Sequence, residues 1–126
     1  MPNKLIFSII ESPGHPNYAD LYARLNIDQL QLLSMREAIK ALKKNTPDFV
    51  IAEFFFGYGN NYAGVNLSNL DVFLSSLQKY APQARVLVMA DKADQAHVAQ
   101  LGELFDIEEV LLRPVTEQQL ADILIK

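Results

Sequence analysis

The sequence predicts an α/β fold: a five-stranded parallel sheet, doubly wound, with helices on both faces. Three observations lead there. Short apolar runs alternate with longer stretches in which apolar residues recur at helical spacing. The main runs are nearly all apolar, as in strands covered on both faces. Clusters of Gly, Pro, Asn and Ser punctuate the joins. Strands joined by helices pair in parallel through right-handed crossovers.

The elements follow in order. Residues 5–10, Leu-Ile-Phe-Ser-Ile-Ile, read as the first strand. A loop with Pro13, Gly14 and Pro16 leads to a helix over residues 17–25, whose inner positions are Tyr18, Leu21, Tyr22 and Leu25. Residues 29–34 form a short second strand. Ser34 then serves as N-cap, and Glu37, three residues on, completes a capping box. The helix that follows turns Met35, Ala38, Ile39 and Leu42 inward. It stops near Asn45, because Pro47 disfavours helix at the preceding residue. Lys40, Lys43 and Lys44 lie at its end, where the helix dipole favours cations.

Residues 49–55 read as the third strand, and residues 57–66 as a loop rich in Gly, Asn and Tyr. Residues 67–80 are helical, with Leu70, Phe73, Leu74 and Leu77 inward. Residues 85–90 form the fourth strand. A helix over residues 94–105 carries Val98, Leu101 and Phe105 on one stripe. Residues 109–112 form the fifth strand. Thr116 caps the last helix, with Leu120, Ile123 and Leu124 facing in.

A chain of 126 residues, 50% of them hydrophobic, fits one domain over residues 1–126. It has no apolar run of the roughly 18 residues that mark a membrane span. Its start lacks the apolar stretch and cleavage site of a signal peptide. The absence of cysteine excludes disulfides, thiolate metal sites and cysteine nucleophiles. These features together fit a cytoplasmic protein. The net charge of -4 and the scattered basic residues argue against nucleic acid as a partner.

In an open sheet of this kind the functional crevice lies at the carboxyl ends of the strands. That places Glu11 and Ser12, Glu53 and Phe54, Ala90 and Asp91, and Arg113 and Pro114 around one mouth. Glu11, Glu53 and Asp91 are weak candidates for a divalent cation, since Mg²⁺ takes oxygen ligands from carboxylates. His15, between two prolines, reads as an exposed loop residue, and His97 has no assigned role. The segment from Ser12 to Asn17 is no phosphate cradle. Its two prolines remove backbone donors, and no Gly-x-Gly-x-x-Gly is present. No nucleophile–base pair is recognisable, so no enzyme activity is expected.

The residues at the mouth carry a resemblance to the receiver domain of response regulators, over nearly the whole chain. Pro47-Asp48-Phe49-Val50-Ile51-Ala52-Glu53 is similar to that family's third-strand segment. Residues 85–90 resemble its fourth strand, and Leu112-Arg113-Pro114-Val115 its Lys-Pro segment. The resemblance implies a flavodoxin-like fold with strand order 2-1-3-4-5. It also implies a phosphorylation chemistry from which this chain departs. Glu53 stands for the acceptor Asp, and Glu11 beside Ile10 or Ser12 for the acidic pair that holds Mg²⁺. Ala90 stands for the hydroxyl residue, and Arg113 for the Lys. The chain is thus identified as a degenerate, pseudo-receiver member of that family. The family's bond before the equivalent of Pro114 is often cis.

Three readings of Glu53 stay open: an unconventional acceptor, a bidentate partner of Arg113 that mimics the phosphorylated state, and a solvated strand-end carboxylate. Tyr58 and Tyr62, on the long loop after the third strand, are candidate interface anchors; that loop could equally seal the crevice. The expected function is a phosphorylation-independent protein–protein interaction module in signal transduction. Its partner would be a signalling protein or a second copy in a homodimer. No metal or cofactor is expected. The alternatives are a metal- or ligand-binding sensor using the crevice and an atypical active phosphoreceiver.

Overall fold

A computed structural model describes residues 3–10, 18–55 and 68–125. Its elements run β1 (Lys4–Ile9), α1 (Ala19–Arg24), β2 (Ile27–Leu32), α2 (Met35–Leu42), β3 (Phe49–Glu53), α3 (Asp71–Tyr80), β4 (Arg85–Ala90), α4 (Gln95–Leu104), β5 (Glu109–Leu112) and α5 (Glu117–Leu124). A 3-10 turn, Lys92–Asp94, leads into α4. The strands form one sheet, all parallel, in the order β2-β1-β3-β4-β5. The doubly wound architecture and the strand order expected from the sequence are both present. No helix among the described residues is long and apolar enough to cross a membrane.

Alternation along the strands divides the core into two layers. Phe7, Ile9, Val50, Ala52, Val86, Val88 and Ala90 face α2, α3 and α4, and pack on Leu42, Phe73, Leu77 and Leu101. Ile6, Phe49, Ile51, Leu87, Met89 and Leu111 face the other way, onto Leu21 and Tyr22 of α1 and Leu120, Ile123 and Leu124 of α5. Burial pushes the Tyr22 phenol up to about 12; Ser8 beside it lowers it less than burial raises it. The Ser8 hydroxyl is buried without a well-aligned hydrogen-bond partner of its own.

The amino ends of the strands are tied separately from the mouth. Asp48 accepts the Leu5 N–H on its side chain at 2.8 Å and donates its own N–H to the Leu5 carbonyl at 2.8 Å. The Asp of the Pro47-Asp48 pair therefore anchors β3 to β1. Arg85 pairs with Glu108 and covers the Phe49 ring at 5.0 Å. That pairing raises the Arg85 pKa above its ordinary value.

Several boundaries differ from expectation. β2 starts two residues early, at Ile27, because Asn26 takes a left-handed φ of 58° and turns the chain straight out of α1. β3 ends at Glu53 rather than Phe55. α3 starts at Asp71 rather than residue 67, because a polar turn from Ser68 to Asp71 occupies the approach. Ser34 does cap α2, accepting the Glu37 N–H at 3.1 Å, but only this half of the expected box forms. The complete capping box belongs to Thr116 and Gln119 at α5.

Candidate functional site

Strand alternation explains which side chains meet at the sheet mouth. Phe49 and Ile51 face the α1–α5 layer, so Glu53 points to the same side. Met89 and Leu111 share that layer and lie level with one another across β4 and β5. Two residues on, Asp91 and Arg113 follow the same face just past the strand ends. β4 lies between β3 and β5, so the three polar side chains converge above Met89, which pairs with Glu53.

Arg113 links them. Its Nη2 donates to Glu53 Oε2 at 3.0 Å, and its Nη1 to Asp91 Oδ1 at 3.0 Å. The guanidinium fork is thus shared between two carboxylates, whereas one of the three open readings had both nitrogens on Glu53. The two contacts differ in burial. The Glu53 side chain is 2% exposed and the Asp91 side chain 63%, with Arg113 at 29% between them. Glu53 is therefore not a solvated strand-end carboxylate. Its charge is held inside the fold, and a buried carboxylate depends on paired, hydrogen-bonded surroundings.

The backbone presents Arg113 from both sides. Its N–H donates to the Ala90 carbonyl at 2.9 Å, extending the β4–β5 ladder by one residue. The Arg113-Pro114 bond is cis. Tyr18 at the start of α1 donates its hydroxyl to the Val115 carbonyl at 2.8 Å, and burial raises its pKa. The Thr116 capping box follows at once. Ala90 contributes through its carbonyl: its methyl alternates to the opposite face and packs in the α2–α3–α4 layer, fully buried.

Glu53 also lies in a polar neighbourhood that the sequence did not announce. Ser8, Glu53, Ser68, Asn69 and Asp71 are the buried polar residues described, and four of them cluster where β3 ends and α3 begins. Asn69 Nδ2 donates to the Glu53 carbonyl at 2.8 Å, and Asn69 Oδ1 accepts the Phe55 N–H at 2.7 Å. The only sequence signal was a polar Ser-Asn pair at an inward-facing start of a helix. Of the other residues singled out, Glu11, Ser12, His15, Tyr58 and Tyr62 lie outside the described residues. His97 is half-buried on α4.

Among the described residues no three His, Asp or Glu side chains gather as a cation site. The two carboxylates at the mouth both give an oxygen to Arg113, whose positive charge opposes a cation beside them. Glu53 and Asp91, so paired, are poor ligands for Mg²⁺; Glu11 lies outside the described residues.

The fold has many solved counterparts. A response regulator receiver domain protein from Clostridium thermocellum superimposes with a TM-score of 0.71 at 20% identity, covering 94% of this chain and 89% of that one. A chemotaxis protein of Vibrio cholerae gives 0.70 at 14% identity, covering 98% and 97%. A protein named adenylate cyclase, from Rhodopirellula baltica, gives 0.70 at 12% identity, covering 98% and 85%. No protein-family model and no curated protein matches the sequence. The chain therefore has the receiver-domain fold, and at these identities the fold does not by itself carry a function.

Proposed function

We propose that this chain is a pseudo-receiver: a phosphorylation-independent protein–protein interaction module of signal transduction, working in the cytoplasm. The observation that carries the reading is the Glu53–Arg113 pair. Where the resemblance places a phosphoacceptor, the chain has a carboxylate on a side chain 2% exposed and already engaged by a guanidinium at 3.0 Å. A nucleophilic carboxylate must present a free oxygen in line with the leaving group. One held against Arg113 in the interior is poorly placed for that. The pair instead resembles the endpoint of phosphorylation, with a basic side chain drawn in from β5 onto negative charge at β3.

Glu53, Arg113 and Ala90 then form the remnant of a phosphorylation site, to which Glu11 belongs by sequence. Their role is to hold one conformation. Neither catalysis nor a cofactor enters this reading. Recognition would lie elsewhere. The surface of α4, β5 and α5 supports it best, since β5 is an edge strand and Leu104 and Val110 stand 62% and 37% exposed. Exposed Glu103 and Asp106 flank these apolar side chains, which favours a protein partner with a basic rim. Tyr58 and Tyr62 remain a second contact surface on the sequence evidence alone.

The test is incubation with acetyl phosphate and Mg²⁺ followed by intact-mass and peptide mass spectrometry. The reading requires an unchanged mass. A gain of one phosphoryl group mapping to Glu53 would overturn it in favour of an atypical phosphoreceiver.

A further inference from the structure

The buried polar cluster at the end of β3 is more than the Glu53–Arg113 pair requires. Asn69, 8% exposed, makes three hydrogen bonds around Glu53. Its Nδ2 donates to the Glu53 carbonyl at 2.8 Å and its Oδ1 accepts from Phe55 N–H at 2.7 Å. Its own N–H donates to the Phe55 carbonyl at 3.1 Å. The side chain thus plays the part of one more strand residue. It continues the pairing of β3 just where the β4 ladder gives out, after Phe54 N–H has reached the Met89 carbonyl at 2.8 Å.

Asn69 is itself rooted. Leu70, next in the chain, is fully buried in the α2–α3–α4 layer. Ser68 on its other side gives its N–H and hydroxyl to Asp71 Oδ1 at 2.7 and 2.9 Å, and accepts the Leu70 N–H at 3.1 Å. An amide that both donates and accepts is needed here, because a backbone carbonyl and a backbone N–H must be met by one side chain. Asn and Gln carry a donor nitrogen and an acceptor oxygen side by side on one planar group.

We propose that Asn69 is the positioning residue for the Glu53–Arg113 pair. By gripping the Glu53 carbonyl it fixes the backbone from which the carboxylate is aimed. The proposal rests on the reading of Glu53–Arg113 as a fixed pair. Loss of the Asn69 grip therefore changes the carboxylate's fit to Arg113 through the backbone of Glu53.

The experiment follows the Arg113 guanidinium N–H signals by NMR, with thermal melting on the same samples. Asn69→Asp keeps the acceptor for Phe55 N–H but places an oxygen against the Glu53 carbonyl, so it removes the arm that matters. Ser68→Ala weakens the start of α3 and leaves both Glu53 contacts intact. Expected is slow guanidinium exchange in wild type and Ser68→Ala, and exchange about tenfold faster in Asn69→Asp, the scale of one lost buried hydrogen bond. Should Asn69→Asp not fold, Asn69→Ser is read in the same way. Equal slowing in wild type and the Asn69 variants would overturn the role of Asn69 alone. Fast exchange already in the wild type would overturn the fixed pair itself. Faster exchange in Ser68→Ala, matching its loss of stability, would reduce Asn69 to a structural residue.

Discussion

Replacing Arg113 by Met separates the two halves of the site, because one guanidinium serves a buried and an exposed carboxylate at the same 3.0 Å. The aliphatic stem is kept and the charge removed. Hydrogen bonds to charged groups contribute about 1.5–3 kcal/mol. Arg113 is itself 29% exposed, so water replaces part of what is lost. About 2 kcal/mol is the expected cost, nearly all of it from Glu53. The Asp91 contact, 63% exposed on the carboxylate side, belongs with surface pairs of about 0–1 kcal/mol. For a urea m-value of about 1.5 kcal/mol/M the midpoint falls by roughly 1.3 M. The assay is urea unfolding of wild type, Arg113→Met, Glu53→Gln, the double variant and Asp91→Asn. The Glu53–Arg113 cycle should return a coupling of at least about 1 kcal/mol, and Asp91→Asn a loss of less than about 0.5 kcal/mol. A coupling near zero, or Asp91→Asn as costly as Glu53→Gln, would refute the argument that burial makes the Glu53 contact the dominant one.

The remaining predictions concern the scaffold. The folded Tyr22 phenol titrates at about 12 against an ordinary value of 10.0, so between those values the unfolded chain loses a proton that the folded chain keeps. Stability from this group is complete below about pH 10 and falls by about 1.4 kcal/mol per pH unit as pH rises toward 12. Melting from pH 9 to 12 should show that decline and Tyr22→Phe should flatten it. Phe73→Ala removes a fully buried ring from the α2–α3–α4 layer and should cost about 3–5 kcal/mol in chemical denaturation. Thr116→Ala removes one half of the α5 capping box and should cost about 1 kcal/mol with the m-value unchanged.

The sheet was legible in the sequence where burial on both faces left uninterrupted apolar runs, as in residues 86–90, and where a Ser or Thr cap fell in register, as at Ser34 and Thr116. β2 was misplaced by two residues because an edge strand alternates less clearly. Asp28, Gln29 and Gln31 are exposed, and the start depends on the left-handed turn at Asn26. The start of α3 was misjudged because Leu67, Leu70 and Leu74 keep helical spacing whether or not the first of them is in the helix. Glu53 and Arg113 were legible as neighbours, because alternation along known strands determines the face of each. How Arg113 divides its nitrogens was not, since that depends on Asp91 lying one step past β4. Asn69 was illegible for a plainer reason: its partners are 14 and 16 residues away, beyond any local pattern.

The fixed pair is tested most directly by the Arg113 guanidinium NMR signals of the wild-type protein, recorded before and after adding Mg²⁺ and acetyl phosphate together. A pseudo-receiver held by Glu53 and Arg113 predicts slowly exchanging signals that keep their positions through the addition. Signals that shift or vanish when the phosphodonor and the cation are added would mean that Arg113 leaves Glu53 for a new phosphoryl group, and would contradict the account.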